Sequence, residues 1–247
     1  MSASQIDIEV MRYDPERDSE PHFQTFTVSC QRDWAILDAL NYIKENLDTT
    51  LSYRWSCHMM VCGSCSMMVN GEPVLTCNTF VRDLPGKVRI EPLANFPVER
   101  DLVVVLDDVM EKMQRAQLHI IRQGPPPAAK QEYRQSQGAL QKFKQYTMCI
   151  NCMACYAACP QYALDTEFIG PAVLALAHRY NRDSRDQGRR QRLDTLADHD
   201  GAWNCSFVGA CSEVCPKHVD PAAAIQQMKV DASMTWLIEH LTPGKAP

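Results

Sequence analysis

The chain has 247 residues, 45% of them hydrophobic and 22% charged, with a net charge of -5 and twelve cysteines. That is enough apolar material for one or two buried cores, and the negative balance gives no support to a nucleic-acid partner. The longest apolar runs, such as LVVVL at 102–106, fall far short of the roughly 20 residues of a membrane span, and the opening MSASQIDIEVMRYDPERD lacks the basic and apolar regions of a secretory signal, which points to a cytoplasmic protein.

In chain order, apolar and polar residues alternate from Ile6 to Val10, and HFQTFTVS follows a turn-rich YDPERDSEP, a hairpin pattern. Asp33 is placed to cap a helix through WAILDALNYIKENL, where Ile36, Leu37, Leu40, Ile43 and Leu47 recur at helical spacing. A loop from Tyr53 to Cys65 leads to a strand SMMV, an Asn70-Gly71 turn, PVLTC and a further strand KVRIE. Together these segments describe an α+β unit. Beyond Leu102 the texture turns helical, with Leu106, Val109, Met110 and Met113 on one expected face. RQGPPPAAKQ reads as a polar connection, and PAVLALAHRYN as a helix with Pro171 in its first turn. RDSRDQGRRQR reads as a solvated surface. The expected boundary between the two textures lies near residue 104.

Twelve cysteines in a reducing compartment argue for metal ligation, since disulfides would be reduced there and idle thiols exposed to oxidation. A disulfide scaffold is the alternative, and it belongs more often to small secreted domains. Cys57, Cys62 and Cys65 form a C-x4-C-x2-C group, with Cys77 beyond the hairpin as a fourth thiol. This is the plant-type pattern of a 2Fe-2S cluster. Four-cysteine zinc is the alternative, although zinc ligands come more often as two CxxC pairs. Gly63 marks a close backbone approach.

The second group, CINCMACYAACP, spaces Cys149, Cys152 and Cys155 for one cubane and sends Cys159, followed by proline, to a neighbouring cluster. Its partner copy is CSFVGACSEVCP, in which Cys205, Cys211 and Cys215 keep the grid and Val208 stands where a cysteine is missing. With the fourth cysteines crossed, Cys149, Cys152, Cys155 and Cys215 hold a 4Fe-4S cluster. Cys159, Cys205 and Cys211 are then left with three thiolates, which suits a 3Fe-4S cluster. Cys30 is left over, as a buried structural thiol. The methionines of HMMVCGSCSMMV read as packing, and none of the histidines reads as more than a surface or core residue.

With these ligands in place the chain resembles, over nearly its whole length, the iron-sulfur subunits of succinate dehydrogenase and fumarate reductase. SYRWSC, CGSC, NFPVERDLVV, CYAACPQ, FIGPA, LAHRYNRDSRD and CSEVCPKHVDPAAAIQQMKV are most similar to the bacterial fumarate reductase branch. The resemblance implies an α+β fold: an N-terminal β-grasp 2Fe-2S ferredoxin-like domain at 1–104 and an all-α, bacterial-ferredoxin-like dicluster domain at 105–247. It implies a subunit with no catalytic residue of its own, peripheral at the cytoplasmic face of a bacterial inner membrane. Its implied partners are a FAD-containing flavoprotein and one or two membrane-anchor subunits, with menaquinol delivering electrons. The positions matching the family's quinone site are Ser206, Phe207, Gln226 and Lys229. A succinate-oxidising or other quinone-linked dehydrogenase subunit, and a non-redox protein stabilised by metal, remain the alternatives.

Overall fold

The computed structural model describes residues 4–84, 86–124 and 132–241. The chain divides into two compact units, one of Met1–Leu106 with Ile150–Ala158 and one of Asp107–Cys149 with Cys159–Pro247.

In the first unit, strand β1 (Ser4–Arg12) pairs antiparallel with β2 (His22–Cys30). Helix α1 (Ile36–Tyr42) follows and runs into a wider turn at Ile43–Leu47. Strands β3 (Ser66–Val69) and β4 (Glu72–Leu75) form a hairpin, and β5 (Val88–Glu91) runs parallel to β1, giving the sheet order β2-β1-β5-β3-β4. The hairpin closes at Asn70 and Gly71, whose φ values of 51° and 86° are the left-handed pair that a two-residue turn requires. A short ribbon pairs β6 (Val98–Arg100) with β7 (Val103–Val104). Alternation along β1 and β2 sends Ile8, Val10, Phe26 and Val28 inward against Ile36, Leu40 and Ile43 of the helical stretch, each of them buried. Burial of one such side chain contributes about 1.5–3 kcal/mol. The strand-helix-strand mixture with a parallel central pair is the β-grasp arrangement.

Two local expectations are corrected. Asp33 does not cap α1; the helix starts at Ile36, and the backbone amide of Ala35 donates to the Asp38 carboxylate at 2.8 Å, so the acid inside the first turn supplies the cap. PVLTC is not strand throughout, because the chain turns into a 3-10 helix at Thr76–Asn78, and Cys77 lies on that turn.

The second unit is helical. Helix α2 (Asp107–Arg115) buries Val109 and Lys112, whereas Met110, expected inward, is half exposed. Lys112 turns inward because its ammonium donates to Asp108 Oδ2 at 2.7 Å and to the Thr166 carbonyl, so its charge is answered where it is buried. Helix α3 (Gln137–Gln141) is capped by Ser136, and the short α4 (Ala154–Ala157) belongs to the first unit. Next come α5 (Pro160–Leu164), α6 (Pro171–Asn181), α7 (Arg189–Leu196), α8 (Ala210–Glu213) and the long α9 (Pro221–Leu241). Helix α6 is buried along most of its length and packs on the first half of α9, which contributes Ala222, Ala224, Ile225 and Met228. Of the expected connection RQGPPPAAKQ, residues 125–131 lie outside the described residues.

The largest departure is RDSRDQGRRQR, which is only in part a solvated surface. Asp183 and Arg192 are 2% and 1% exposed. Arg192 spends all five of its donors: two on Asp186 at 2.8 Å each, and one each on Asn181 Oδ1, the Gln117 carbonyl and the His119 carbonyl. A charge pattern read along the chain cannot distinguish this network from a wet helix face, because two of its acceptors are backbone carbonyls 75 and 73 residues away.

Candidate metal centres

The loop from Leu51 to Cys65 carries no regular secondary structure, and its shape is set by left-handed residues: His58 at φ 53°, Met60 at 59° and Gly63 at 74°. This curl turns backbone amides onto sulfur. Met59, Val61 and Cys62 donate to Cys57 Sγ at 3.4, 3.4 and 3.3 Å, and those amides, Met59 first, pull the Cys57 thiol down to about 6. Cys77 comes back from the hairpin to the same place. Burial, and then hydrogen bonding and charge from Cys65 and the charge of Cys57, push its thiol up to about 11. The Ser64 hydroxyl lies 3.0 Å from Cys62 Sγ. Cys57, Cys62, Cys65 and Cys77 are therefore gathered around one loop, held for thiolate chemistry by donors that a disulfide would not need. Gly63 is a close approach, as its position suggested, but against protein: a Cβ there would stand 2.7 Å from the Ile150 carbonyl oxygen and 3.0 Å from Cys152 Cα.

The two copies of the second pattern share backbone features at matching positions. Asn151 and Phe207 have φ 53° and 60°, and Met153 and Gly209 have 61° and 90°. Each copy then makes one short helix, α4 or α8, closed by Ala158 N–H to the Ala154 carbonyl at 3.0 Å and by Val214 N–H to the Ala210 carbonyl at 3.1 Å. A left-handed methionine or phenylalanine is rare and costs energy, so its recurrence at the matching position shows that both copies are shaped to one template. Val208 stands between the matched Phe207 and Gly209, has no ligand atom, and is exposed.

In the second unit Cys159, Cys205 and Cys211 are close neighbours. Burial first, and then the charges of Cys159 and Cys205, push the Cys211 thiol up to about 11, and burial with the charge of Cys205 raises Cys159. Cys211, buried and slow to ionise alone, suits a bound cationic core, which would take it as a thiolate. Cys159 also caps α5, accepting from the Tyr162 amide at 3.5 Å, and Cys215 accepts from Val219 at 3.3 Å. Cys149 and Cys215 pack on the cluster of Tyr146, Ala175, Val219 and Ala224, while Cys152 packs with Leu37, Cys65 and Leu75 in the first unit. These relations are pairwise; among the described residues no three His, Cys, Asp or Glu side chains gather as tightly as one metal ion would require.

The quinone candidates lie in the second unit. Lys229 Nζ donates to the Cys205 carbonyl at 2.7 Å and stands 5.7 Å from the centre of the Trp203 ring. Phe207 is 59% exposed, and the buried amide nitrogen of Gln226 has no hydrogen-bond partner. From Val230 onward α9 exposes Val230, Met234, Trp236, Leu237, Ile238 and Leu241. No described helix is long and apolar enough to cross a membrane.

Sequence reasoning missed Asn95, whose side-chain amide donates to the carbonyls of Tyr156 and Ala157 at 2.9 and 3.0 Å and so answers the open end of the helix carrying Cys155. Its left-handed φ of 69° leaves no trace in a spacing pattern. Cys30 is buried in the first core, and burial pushes its thiol up to about 11. Met67 is core, whereas Met59 is 70% exposed, so not every methionine of that stretch is packing.

The description "2Fe-2S iron-sulfur cluster binding domain" matches residues 7–111 and "4Fe-4S dicluster domain" matches 141–216. A fumarate reductase iron-sulfur subunit of Mycobacterium tuberculosis is 55% identical over 96% of this chain and 97% of its own length, and one of Haemophilus influenzae is 50% identical over the same shares. A succinate dehydrogenase iron-sulfur subunit of Coxiella burnetii is 34% identical over 90% of this chain and 94% of its own. Among solved structures, a chain of the Mycobacterium smegmatis Sdh1 complex in the apo form superimposes with a TM-score of 0.83 at 26% identity, covering 99% of this chain and all of the other. Matches of this extent, falling on the two cysteine groups, mean that the chain belongs to the family of fumarate reductase and succinate dehydrogenase iron-sulfur subunits.

Proposed function

We propose that this chain is the electron-transfer subunit of a membrane-bound quinol:fumarate reductase, peripheral at the cytoplasmic face and set between a FAD-containing flavoprotein and one or two membrane-anchor subunits that serve menaquinol. Its division of labour follows the sequence reading, with a 2Fe-2S domain at 1–104 and a dicluster domain at 105–247. The carrying observation is the pair of matched backbones at residues 149–160 and 205–216, in which the second copy has the shape of a ligand loop and a valine at one ligand position. Bound clusters would supply one-electron steps between a two-electron quinol and a two-electron flavin.

The protein's own part is to hold the thiolates and the ends of the path. Cys57, Cys62, Cys65 and Cys77 serve the 2Fe-2S centre, and three backbone amides on Cys57 stabilise its negative charge. By the crossed motif, Cys149, Cys152, Cys155 and Cys215 serve the 4Fe-4S centre, and Cys159, Cys205 and Cys211 the 3Fe-4S centre. Lys229, fixed by the Cys205 carbonyl, keeps two further N–H donors for a quinone oxygen, and Gln226 has an unspent amide beside it in the helix. Ser206 and Phe207 lie on the adjoining loop. The succinate dehydrogenase relatives favour the reverse flux as the second reading.

Electron paramagnetic resonance of the assembled complex tests the assignment. The oxidised complex should show a 3Fe-4S signal that Val208→Cys diminishes, since a fourth thiolate permits a diamagnetic oxidised 4Fe-4S core, and the reduced complex should show the 2Fe-2S signal. A parent with no oxidised-state signal would overturn the reading of Cys159, Cys205 and Cys211. Zinc without visible charge-transfer bands would overturn the redox role altogether.

A further inference from the structure

Two cysteines of the first group receive different kinds of hydrogen bond. Cys57 Sγ accepts from the main chain of Met59, Val61 and Cys62, groups that are present whatever the side chains are. Cys62 Sγ has the Ser64 hydroxyl at 3.0 Å. A cysteine bound to iron is a thiolate with no proton to give, so in the loaded protein the hydroxyl donates and the sulfur accepts. A hydroxyl donating to an anionic sulfur is a charge-assisted bond, roughly twice as strong as a neutral one. The loop between the two residues has little freedom to move them apart: Gly63 sits at φ 74° with its Cα against the Ile150 and Cys152 backbone. The spacing of the cysteines does not require a hydroxyl at position 64, so the motif leaves Ser64 unexplained.

We infer that Ser64 is a positioning and tuning residue for electron transfer, its hydroxyl raising the potential of the 2Fe-2S centre by donating to Cys62 Sγ. One-electron reduction adds negative charge that spreads onto the ligand sulfurs, and a donor aimed at one of them stabilises the reduced state more than the oxidised one. Ser64 keeps its proton throughout; the only change is the single electron, supplied by a mediator dye or by the quinol. The inference rests on the reading of Cys57, Cys62, Cys65 and Cys77 as the 2Fe-2S ligands, and goes beyond it by giving a residue that is not a ligand control over the driving force at that end of the path.

The test is a mediated redox titration of the assembled complex, followed through the reduced 2Fe-2S resonance signal. Ser64→Ala and Ser64→Gly should each shift the centre about tenfold toward its oxidised form, a midpoint about 59 mV lower for one electron. Ser64→Thr, which keeps the hydroxyl, should stay at the parent value, and the midpoints of the other two centres should not move in any variant. An unchanged midpoint in both deletion variants overturns the inference. A fall in Ser64→Thr equal to theirs, or a failure of both deletion variants to carry the cluster, makes the role structural and overturns it too. Absence of a reduced 2Fe-2S signal from the parent complex would instead overturn the ligand reading beneath it.

Discussion

His178 is 1% exposed, edge-on to Tyr146 with ring centroids 4.9 Å apart, and neither ring nitrogen has a hydrogen-bond partner. Burial pushes its imidazole down to about 4, helped by the charges of Arg182 and Arg189. The folded value lies below the ordinary value of 6.5, so the unfolded chain takes up the proton first. Its contribution to stability is therefore complete above about pH 6.5 and is lost as pH falls toward 4, amounting to about 2 kcal/mol between pH 7.5 and pH 5. Asp48 and Asp183, both held down at about 2, titrate below that window. His178→Phe, with no proton to take up, should lose less stability than the parent over this range. Unfolding midpoints of the complex at the two pH values would check it, and parallel losses would exclude His178 as the source. The sequence reading left this histidine as a core or surface residue and could not say which, because burial depends on what α6 packs against.

Among the elements, α7 is the one whose role the sequence misjudged. Its Arg192 ties the helix to the 117–119 segment and to Asp186. Burial alone would push the Asp186 carboxyl up; Arg192, with the Ile121 and Gly188 amides, brings it below the ordinary range. Arg192→Met removes one partner and leaves a buried carboxylate, which should cost about 3–5 kcal/mol, whereas Arg192→Met with Asp186→Leu should recover most of that loss. Thermal unfolding of the complex measures both, and a double variant no more stable than the single one would show that the pair does not act as a unit. By contrast the β1–β2 hairpin, the Asn70-Gly71 turn and α6 were legible beforehand. Their signals are alternation, a left-handed dipeptide and a proline at the first helical position, all set within a few residues of chain.

At the scale of the whole molecule, the functional division predicts two separable assays. Lys229→Ala should lower quinol-driven fumarate reduction at least tenfold, the effect of losing one charge-assisted hydrogen bond, while dye-driven reduction, which bypasses the quinone, stays nearly intact. Equal losses in both assays would remove Lys229 from the quinone site. The sequence by itself was enough to propose the number and kind of centres, because a cluster ligand loop is local: its chemistry needs thiolates at fixed short spacing, and Val208 stands on that spacing in the second copy. It also determined the order of strands and helices wherever one turn or one period specifies them. Only the tertiary structure decided that Cys57 is served by main-chain amides and Cys62 meets a hydroxyl, that Asn95 closes the helix of Cys155, and that Asp183 and Arg192 of a charged run are interior. Each of those depends on the direction of a bond or on a partner many residues away, and a one-dimensional pattern carries neither.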